Sequence, residues 1–140
     1  MGGYPVPPGA SQIIGLECMG YIINDLKEDL VDEKYKKGQL VMALLSGGGY
    51  GTFATVNKSH VMPVISKFVT EPTLAAAIPE VWLTAYKLLK ICGNVKQGDR
   101  VLIHAAASGV GTSLIQLCKK FGAISIASAS QDEKLQVCKE

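Results

Sequence analysis

The residues best suited to chemistry lie in residues 101–111, which read VLIHAAASGVG. The segment opens on apolar residues typical of a buried strand, and from Gly109 onward it is typical of a helix. Such a turn leaves backbone N–H groups free at the positive end of the helix dipole, where a dinucleotide pyrophosphate can bind. Gly109 would allow close approach of a phosphate, and Gly111 close packing of helix on strand. In the GxGxxG pattern, however, Ala106 and Ser108 replace the first two glycines, so a βα turn without a ligand explains the segment equally well.

The end of the next predicted strand bears on the choice of dinucleotide. NAD-specific folds place Asp or Glu there, where the carboxylate accepts a hydrogen bond from the ribose 2′-hydroxyl. Residues 128–131 read SASQ and offer no carboxylate. Two acids, Asp132 and Glu133, follow directly, and acids beside a bound phosphate would weaken its binding.

The elements that position these residues follow from hydrophobic pattern, glycine and proline. In the first half we expect short strands with glycine turns, over residues 13–23 (one strand, or two with a bulge), 39–45, 51–56 and 61–65. We expect residues 25–37 to be an exposed, charged connector between the first two strands. In the second half we expect helices over residues 73–77, 79–92 and 109–121, strands over 100–105 and 123–129, and a helix from residue 131. In the helix over residues 79–92, we expect one side to carry Val81, Ala85, Leu88 and Cys92.

The order of these elements predicts an α/β protein. From residue 101 the order β-α-β-α is typical of a parallel sheet covered by helices. The strands before it predict a small, partly antiparallel β-domain. We therefore expect two parts, residues 1–72 and residues 73–140.

Composition narrows the classes of function. The 140 residues are 48% hydrophobic and 19% charged, which is enough to bury a core. A net charge of +2 gives no reason to expect nucleic acid or an anionic membrane as a partner. Residues 101–118 carry no formal charge, but His104 and the glycines interrupt them, so a buried strand–turn–helix explains them better than a membrane span. No secretory signal opens the chain, which favours a cytoplasmic protein.

The cysteines and His104 predict no metal or nucleophilic site. Cys18, Cys92, Cys118 and Cys138 are widely spaced, whereas structural zinc needs ligands at short spacing. Free and mostly buried thiols explain them better. His104, at a strand end, is expected to be a satisfied core histidine and no catalyst.

Taken together, these motifs resemble those of a known family. The chain resembles the quinone-oxidoreductase branch of the medium-chain dehydrogenase/reductase superfamily, over nearly all its residues. The residues that carry it are Leu16 and Glu17, AAAIP at 75–79, LTAY at 83–86, QGDRV at 97–101, HAAASGVG at 104–111 and QL at 116–117. Residues 4–11 and 43–49 look most like the zeta-crystallin-like, tumour-suppressor-inducible type.

The resemblance implies a fold and an activity. The fold would be a partial GroES-like β-domain followed by the first part of a Rossmann doubly wound parallel sheet. The activity would be direct hydride transfer from NADPH to a quinone or an activated alkene, without zinc. Leu16 stands where zinc-dependent relatives have a histidine ligand, and Glu17 is then a structural acid. No acid–base dyad is required, and no catalytic residue is assigned.

The resemblance also implies which residues hold the cofactor. Lys134 matches the position that contacts the 2′-phosphate in related reductases, although one more surface lysine would explain it too. Thr84 matches a residue beside the nicotinamide, with an ordinary helix residue as the alternative. The complete set of expected cofactor residues is Thr84, Ala107, Ser108, Gly109, Val110, Gly111, Ser130 and Lys134.

Measured against that family, the chain is expected to be a fragment or an incomplete gene model. It lacks the first strands of the β-domain and everything that follows residue 140 in the family, including the edge strand of the relatives' homodimer. A truncated, non-catalytic binding or structural module therefore remains the alternative to the enzyme.

Overall fold

The structure of the chain, a computed structural model, describes residues 7–23, 35–64, 68–69 and 71–139. The chain divides into two compact units, Met1–Glu80 and Val81–Glu140. The predicted connector at residues 25–37 falls largely outside the described residues.

The first unit is built on a three-stranded antiparallel sheet. Its strands are β1 (Glu17–Tyr21), β2 (Leu40–Leu44) and β3 (Val61–Pro63), in the order β1-β2-β3. The central strand β2 is the most buried, as its apolar sequence LVMAL requires. Helix α1 (Pro72–Ala76) and the short 3₁₀ turn Lys58–His60 complete the regular elements described here.

Glycine fixes the edge of this unit beside β1. Gly15 has φ +104°, and a Cβ placed on it would lie 2.7 Å from the Cα of Gly49. The Gly49 amide donates to the Gly15 carbonyl over 3.0 Å, and the Tyr50 amide donates to that of Ile14 over the same distance. The predicted strand over 13–23 therefore begins only at Glu17, since the residues before it bond to the glycine turn.

The predicted strand over residues 51–56 is wrong. These residues form a bend and an extended loop, and none of them pairs with a strand in the described part of the chain. Tyr50 and Phe53 are 79% and 73% exposed. A run with high β-propensity needs a partner to accept its backbone hydrogen bonds, and propensity alone does not supply one.

The second unit holds a two-stranded parallel sheet. Strand β4 (Arg100–Ile103) pairs with β5 (Ile124–Ala127), and helix α3 (Gly109–Phe121) connects them. Helix α4 (Asp132–Val137) follows β5. The order β-α-β-α is confirmed, and helix α3 has the predicted bounds.

A core cluster holds these elements together. Its buried members are Leu89, Val95, Ile103, Ala106 and Cys118. Ile103 ends β4 at only 2% exposure, whereas its neighbour Leu102 points to the other face of the sheet and is 57% exposed. This alternation is the period-two pattern of a strand with one covered face.

The helix before β4 differs from its prediction. Helix α2 (Pro79–Tyr86) continues as a π-helix over Lys87–Cys92, in which the Gly93 amide donates to the carbonyl of Leu88. The wider turn changes which side chains face inward, because each π-helical hydrogen bond spans one more residue than an α-helical one. Leu89 is buried, while Leu88 and Cys92 are exposed, so the predicted shared side is wrong at its end.

Two further sequence expectations need correction. His104 is exposed rather than a core histidine, because it follows the last buried residue of β4. Of the thiols only Cys118 is buried, Cys18 and Cys138 are half-buried and Cys92 is exposed. Within the described ranges, no helix is both long and apolar enough to cross a membrane.

Replacing Ile103 by Ala should lower the free energy of unfolding by about 3 kcal/mol, because the change leaves a cavity in the core cluster. The matched control is Leu102→Ala on the exposed face, where we expect a loss of about 1 kcal/mol or less. Urea denaturation of both variants measures the difference. Equal losses would contradict the placement of the core on one face of the sheet.

Candidate functional site

The side chain of Ser108 caps the beginning of helix α3. Ser108 Oγ accepts a hydrogen bond from the Gly111 amide over 3.1 Å, and the Ser108 carbonyl accepts from the Thr112 amide over 2.8 Å. Among the described residues, none accepts from the amides of Gly109 or Val110. These two donors lie in the first turn, at the positive end of the helix dipole.

Gly111 brings this turn onto the end of β4. A Cβ at Gly111 would lie 2.5 Å from the carbonyl oxygen of Ala106 and 2.6 Å from that of Ala105. No side chain larger than hydrogen fits between them, because both contacts are to backbone that cannot rotate away. The close packing of helix on strand expected for Gly111 is therefore present.

Strand β5 holds the other side of the turn. The Ala106 amide donates to the Ser128 carbonyl over 3.0 Å, and the Ser128 amide donates to the Ile103 carbonyl over 2.9 Å. These bonds continue the pairing of β4 and β5 past their last residues. The carboxyl ends of the two strands are thus joined at one edge of the sheet, which is where open α/β sheets bind ligands.

A cleft of about 620 Å³ opens at that edge. Its volume falls in the range of small-molecule sites, about 300–1,000 Å³. The turn after β4, the end of β5 and helix α4 supply its lining, namely Ala105, Ala107, Ser108, Ser128, Ala129, Ser130, Lys134 and Val137. Hydroxyl groups, small apolar side chains and one cation therefore face the same space.

The structure brings most of the predicted site residues together. Four line the cleft, namely Ala107, Ser108, Ser130 and Lys134. Gly109, Val110 and Gly111 form the first turn of α3, directly after the cleft residue Ser108. Sequence reasoning missed the lining residues Ala105, Ser128, Ala129 and Val137, whose only signal was their proximity in sequence to predicted site residues.

Thr84 lies apart from the cleft. It is an exposed residue of helix α2, and it does not line the space beside α4. Val81, one turn earlier on the same helix, approaches the first turn of α3: a Cβ on Gly109 would lie 3.0 Å from Val81 Cγ1. Residues three apart on a helix are neighbours on its surface, which places Thr84 on the same side of α2 as Val81.

Lys134 and the acids before it take different positions. The Lys134 ammonium lies 3.5 Å from Ser130 Oγ, and both residues line the cleft. Asp132 and Glu133 occupy the first turn of α4 and are not part of the lining. The cleft therefore receives a positive charge from this helix.

Glu17 makes a structural contact in the first unit. Its Oε2 accepts a hydrogen bond from the Glu80 amide over 2.9 Å, at the first turn of α2. A carboxylate at this position satisfies an otherwise unpaired helix amide and interacts favourably with the helix dipole. Within the described ranges, no group of three or more His, Cys, Asp or Glu residues is arranged to hold a metal ion.

The first unit contains a second, mainly apolar cleft of about 650 Å³. Strands β1 and β2 and the loop after the glycine turn line it, with Cys18, Tyr21 and Phe53 among the lining residues. Burial raises the pKa of the Cys18 thiol, which lowers the fraction of reactive thiolate. The same cause raises the pKa of Cys118 in the second unit. Neither cysteine has the lowered pKa of a nucleophile.

Comparison with known proteins identifies proteins that are similar to this chain in sequence and in structure. No protein-family model matches the chain. A highly-reducing polyketide synthase from Aureobasidium melanogenum is 40% identical over 128 residues, which are 91% of this chain and 6% of the synthase. Among solved structures, the enoyl reductase CurK is 33% identical with a TM-score of 0.78 over 91% of this chain and 38% of CurK. The Escherichia coli quinone oxidoreductase complexed with NADPH is 26% identical, with a TM-score of 0.82 over 99% of this chain and 41% of that protein.

These similarities confirm the predicted fold class, a partial GroES-like β-domain followed by the first part of a Rossmann doubly wound parallel sheet. The solved neighbours include enoyl reductases and quinone oxidoreductases of the medium-chain dehydrogenase/reductase type. The quinone-oxidoreductase branch is not singled out, since enoyl reductases match as well. The chain spans less than half of the length of each of these three proteins.

Replacing Gly111 by Ala should destabilise the chain by about 2–4 kcal/mol, because the new methyl group meets two backbone carbonyls and separates α3 from β4. Gly20→Ala is the control, since a Cβ there meets nothing within 4 Å. Thermal melting compares the two variants. A Gly111→Ala variant as stable as Gly20→Ala would contradict the close packing.

Proposed function

We propose that the chain is the dinucleotide-binding part of an oxidoreductase that reduces quinones or activated alkenes with NADPH, without zinc. The observation that carries the proposal is the cleft at the joined ends of β4 and β5, bordered by Lys134 and by two amides that have no acceptor among the described residues. The names of the relatives support the same class, since they include a quinone oxidoreductase complexed with NADPH and an enoyl reductase.

The pyrophosphate would lie at the first turn of α3. The amides of Gly109 and Val110 are donors without a partner among the described residues, and the helix dipole adds a partial positive charge there. The Ser108 side chain is occupied by its cap on Gly111, so it fixes the turn rather than binding phosphate itself. This donor set fits the group that NADPH would place there.

The phosphate on the adenosine ribose would lie between Ser130 and Lys134. Both residues line the cleft, and residues 128–131 supply no carboxylate to bind a free 2′-hydroxyl. Asp132 and Glu133 would weaken binding of a phosphate if they lay beside it, but neither residue lines the cleft. A cation with its hydroxyl neighbour favours NADPH over NADH.

The reduction itself would need little from the protein's acids and bases. NADPH supplies a hydride when bound, and the chain's residues hold and orient it. We assign Thr84 to the nicotinamide end, as the family resemblance implies, and it lies one turn after Val81, which approaches the start of α3. Leu16 stands where zinc-dependent relatives carry histidine, so a carbonyl polarised by metal is not part of this proposal.

The substrate would be a small molecule with an electron-poor double bond, in a quinone or conjugated to a carbonyl. Incubating the chain with NADPH and one acceptor of each kind, and following the loss of NADPH absorbance, tests this proposal. We expect saturable NADPH binding and faster loss with at least one acceptor. Binding without turnover would contradict the reductase proposal and leave a non-catalytic binding module. No binding would contradict both.

Replacing Lys134 by Ala should weaken NADPH binding about tenfold and leave NADH binding unchanged, because only NADPH carries the 2′-phosphate. Lys139→Ala is the matched control, since it removes an equal charge just beyond α4 from a residue outside the cleft. Fluorescence titration of the unmodified chain and of both variants with both nucleotides measures the six affinities. An equal loss for NADPH and NADH in Lys134→Ala, or an equal loss of NADPH affinity in Lys139→Ala, would contradict the assignment.

A further inference from the structure

Ala105 has a backbone conformation that alanine seldom adopts. Its φ is +50°, and among the described residues only Asn94 shares a positive φ without being glycine. Asparagine tolerates this left-handed region, whereas for alanine the Cβ lies too close to its own carbonyl oxygen. A residue held in this region is strained, and such strain concentrates at functional sites.

The surrounding backbone accounts for the conformation. The Ala105 carbonyl accepts a hydrogen bond from the Ser108 amide over 2.8 Å and lies against Gly111. The next amide, that of Ala106, donates to the Ser128 carbonyl. The turn is therefore fixed on both sides of Ala105, and glycine would adopt the same backbone with less strain.

Packing within the fold does not explain why residue 105 is alanine rather than glycine. Ala105 is exposed, in contrast to Ala106, which is fully buried in the core cluster. A methyl group that is not packed inside the unit stabilises the fold very little. Ala105 does line the cleft, so its methyl group can contact whatever the cleft holds.

We propose that Ala105 is a further ligand-binding residue, whose methyl group packs against the ribose carbons beside the phosphates of a dinucleotide. The cleft offers amides, hydroxyls and Lys134 for the polar groups of such a ligand, and Ala105 adds apolar surface for its sugar. The strain is the same in the free and the bound chain, so it cancels in the binding equilibrium and the methyl contact remains. This inference rests on the proposed NADPH site.

The test compares Ala105→Gly with Asn94→Gly in the 140-residue chain. Ala105→Gly should raise Tm by about 3 °C, since it relieves the strain. The same variant should weaken NADPH binding about fourfold, the effect of burying one methyl group. Asn94→Gly removes the other positive-φ side chain, which does not line the cleft, and should leave NADPH binding unchanged.

Thermal melting and NADPH titration give the two readouts. The inference is supported if Ala105→Gly has a higher Tm together with weaker NADPH binding, and Asn94→Gly does not show this combination. Unchanged or tighter binding in Ala105→Gly overturns it, and so does a lower Tm, because alanine at this position would then be explained by stability alone. If the unmodified chain itself shows no saturable NADPH binding, the proposed function fails first, and this inference fails with it.

Discussion

The approach of α3 to the end of β4 at Gly111 is the constraint on which the rest of the second unit depends. An ideal Cβ there would lie within 2.6 Å of two backbone carbonyls, so the distance is set by the absence of a side chain. This packing holds the first turn of α3 at the joined ends of β4 and β5. The amides of Gly109 and Val110, which have no acceptor in the part of the chain that the structure describes, lie in that turn. The cleft, its cation and its strained alanine all border the same turn.

Sequence predicted the second unit better than the first, for physical reasons. Helix α3 has strong local signals, a capping serine before it and Gly122 after it, and its bounds are as predicted. The loop over 51–56 has β-propensity but no partner strand among the described residues, and a partner cannot be read from local sequence. The π-helical turn after Tyr86 likewise has no glycine or proline to mark it, so the sides of the helix were predicted with the wrong period.

The candidate site was predictable where residue types carry chemistry. Ser108 belongs to the turn after the first parallel strand, whereas Ser130 and Lys134 were expected from the family resemblance, and all three line one cleft. Ala105, Ala129 and Val137 line it too, but alanine and valine give no chemical signal. Whether the side chains of Lys134 and of its acidic neighbours line the cleft depends on how α4 lies against β5. This arrangement is known only from the structure.

The central claim is that the first turn of α3 binds the phosphates of NADPH, and backbone amide NMR of the ¹⁵N-labelled chain tests it most directly. On titration with NADPH, the amide signals of Gly109 and Val110 should move saturably, with the same midpoint as that of Ser130. Shifts of this kind would come from new hydrogen bonds to phosphate oxygens. Unmoved signals at Gly109 and Val110, with NADPH bound elsewhere or not at all, would contradict the account.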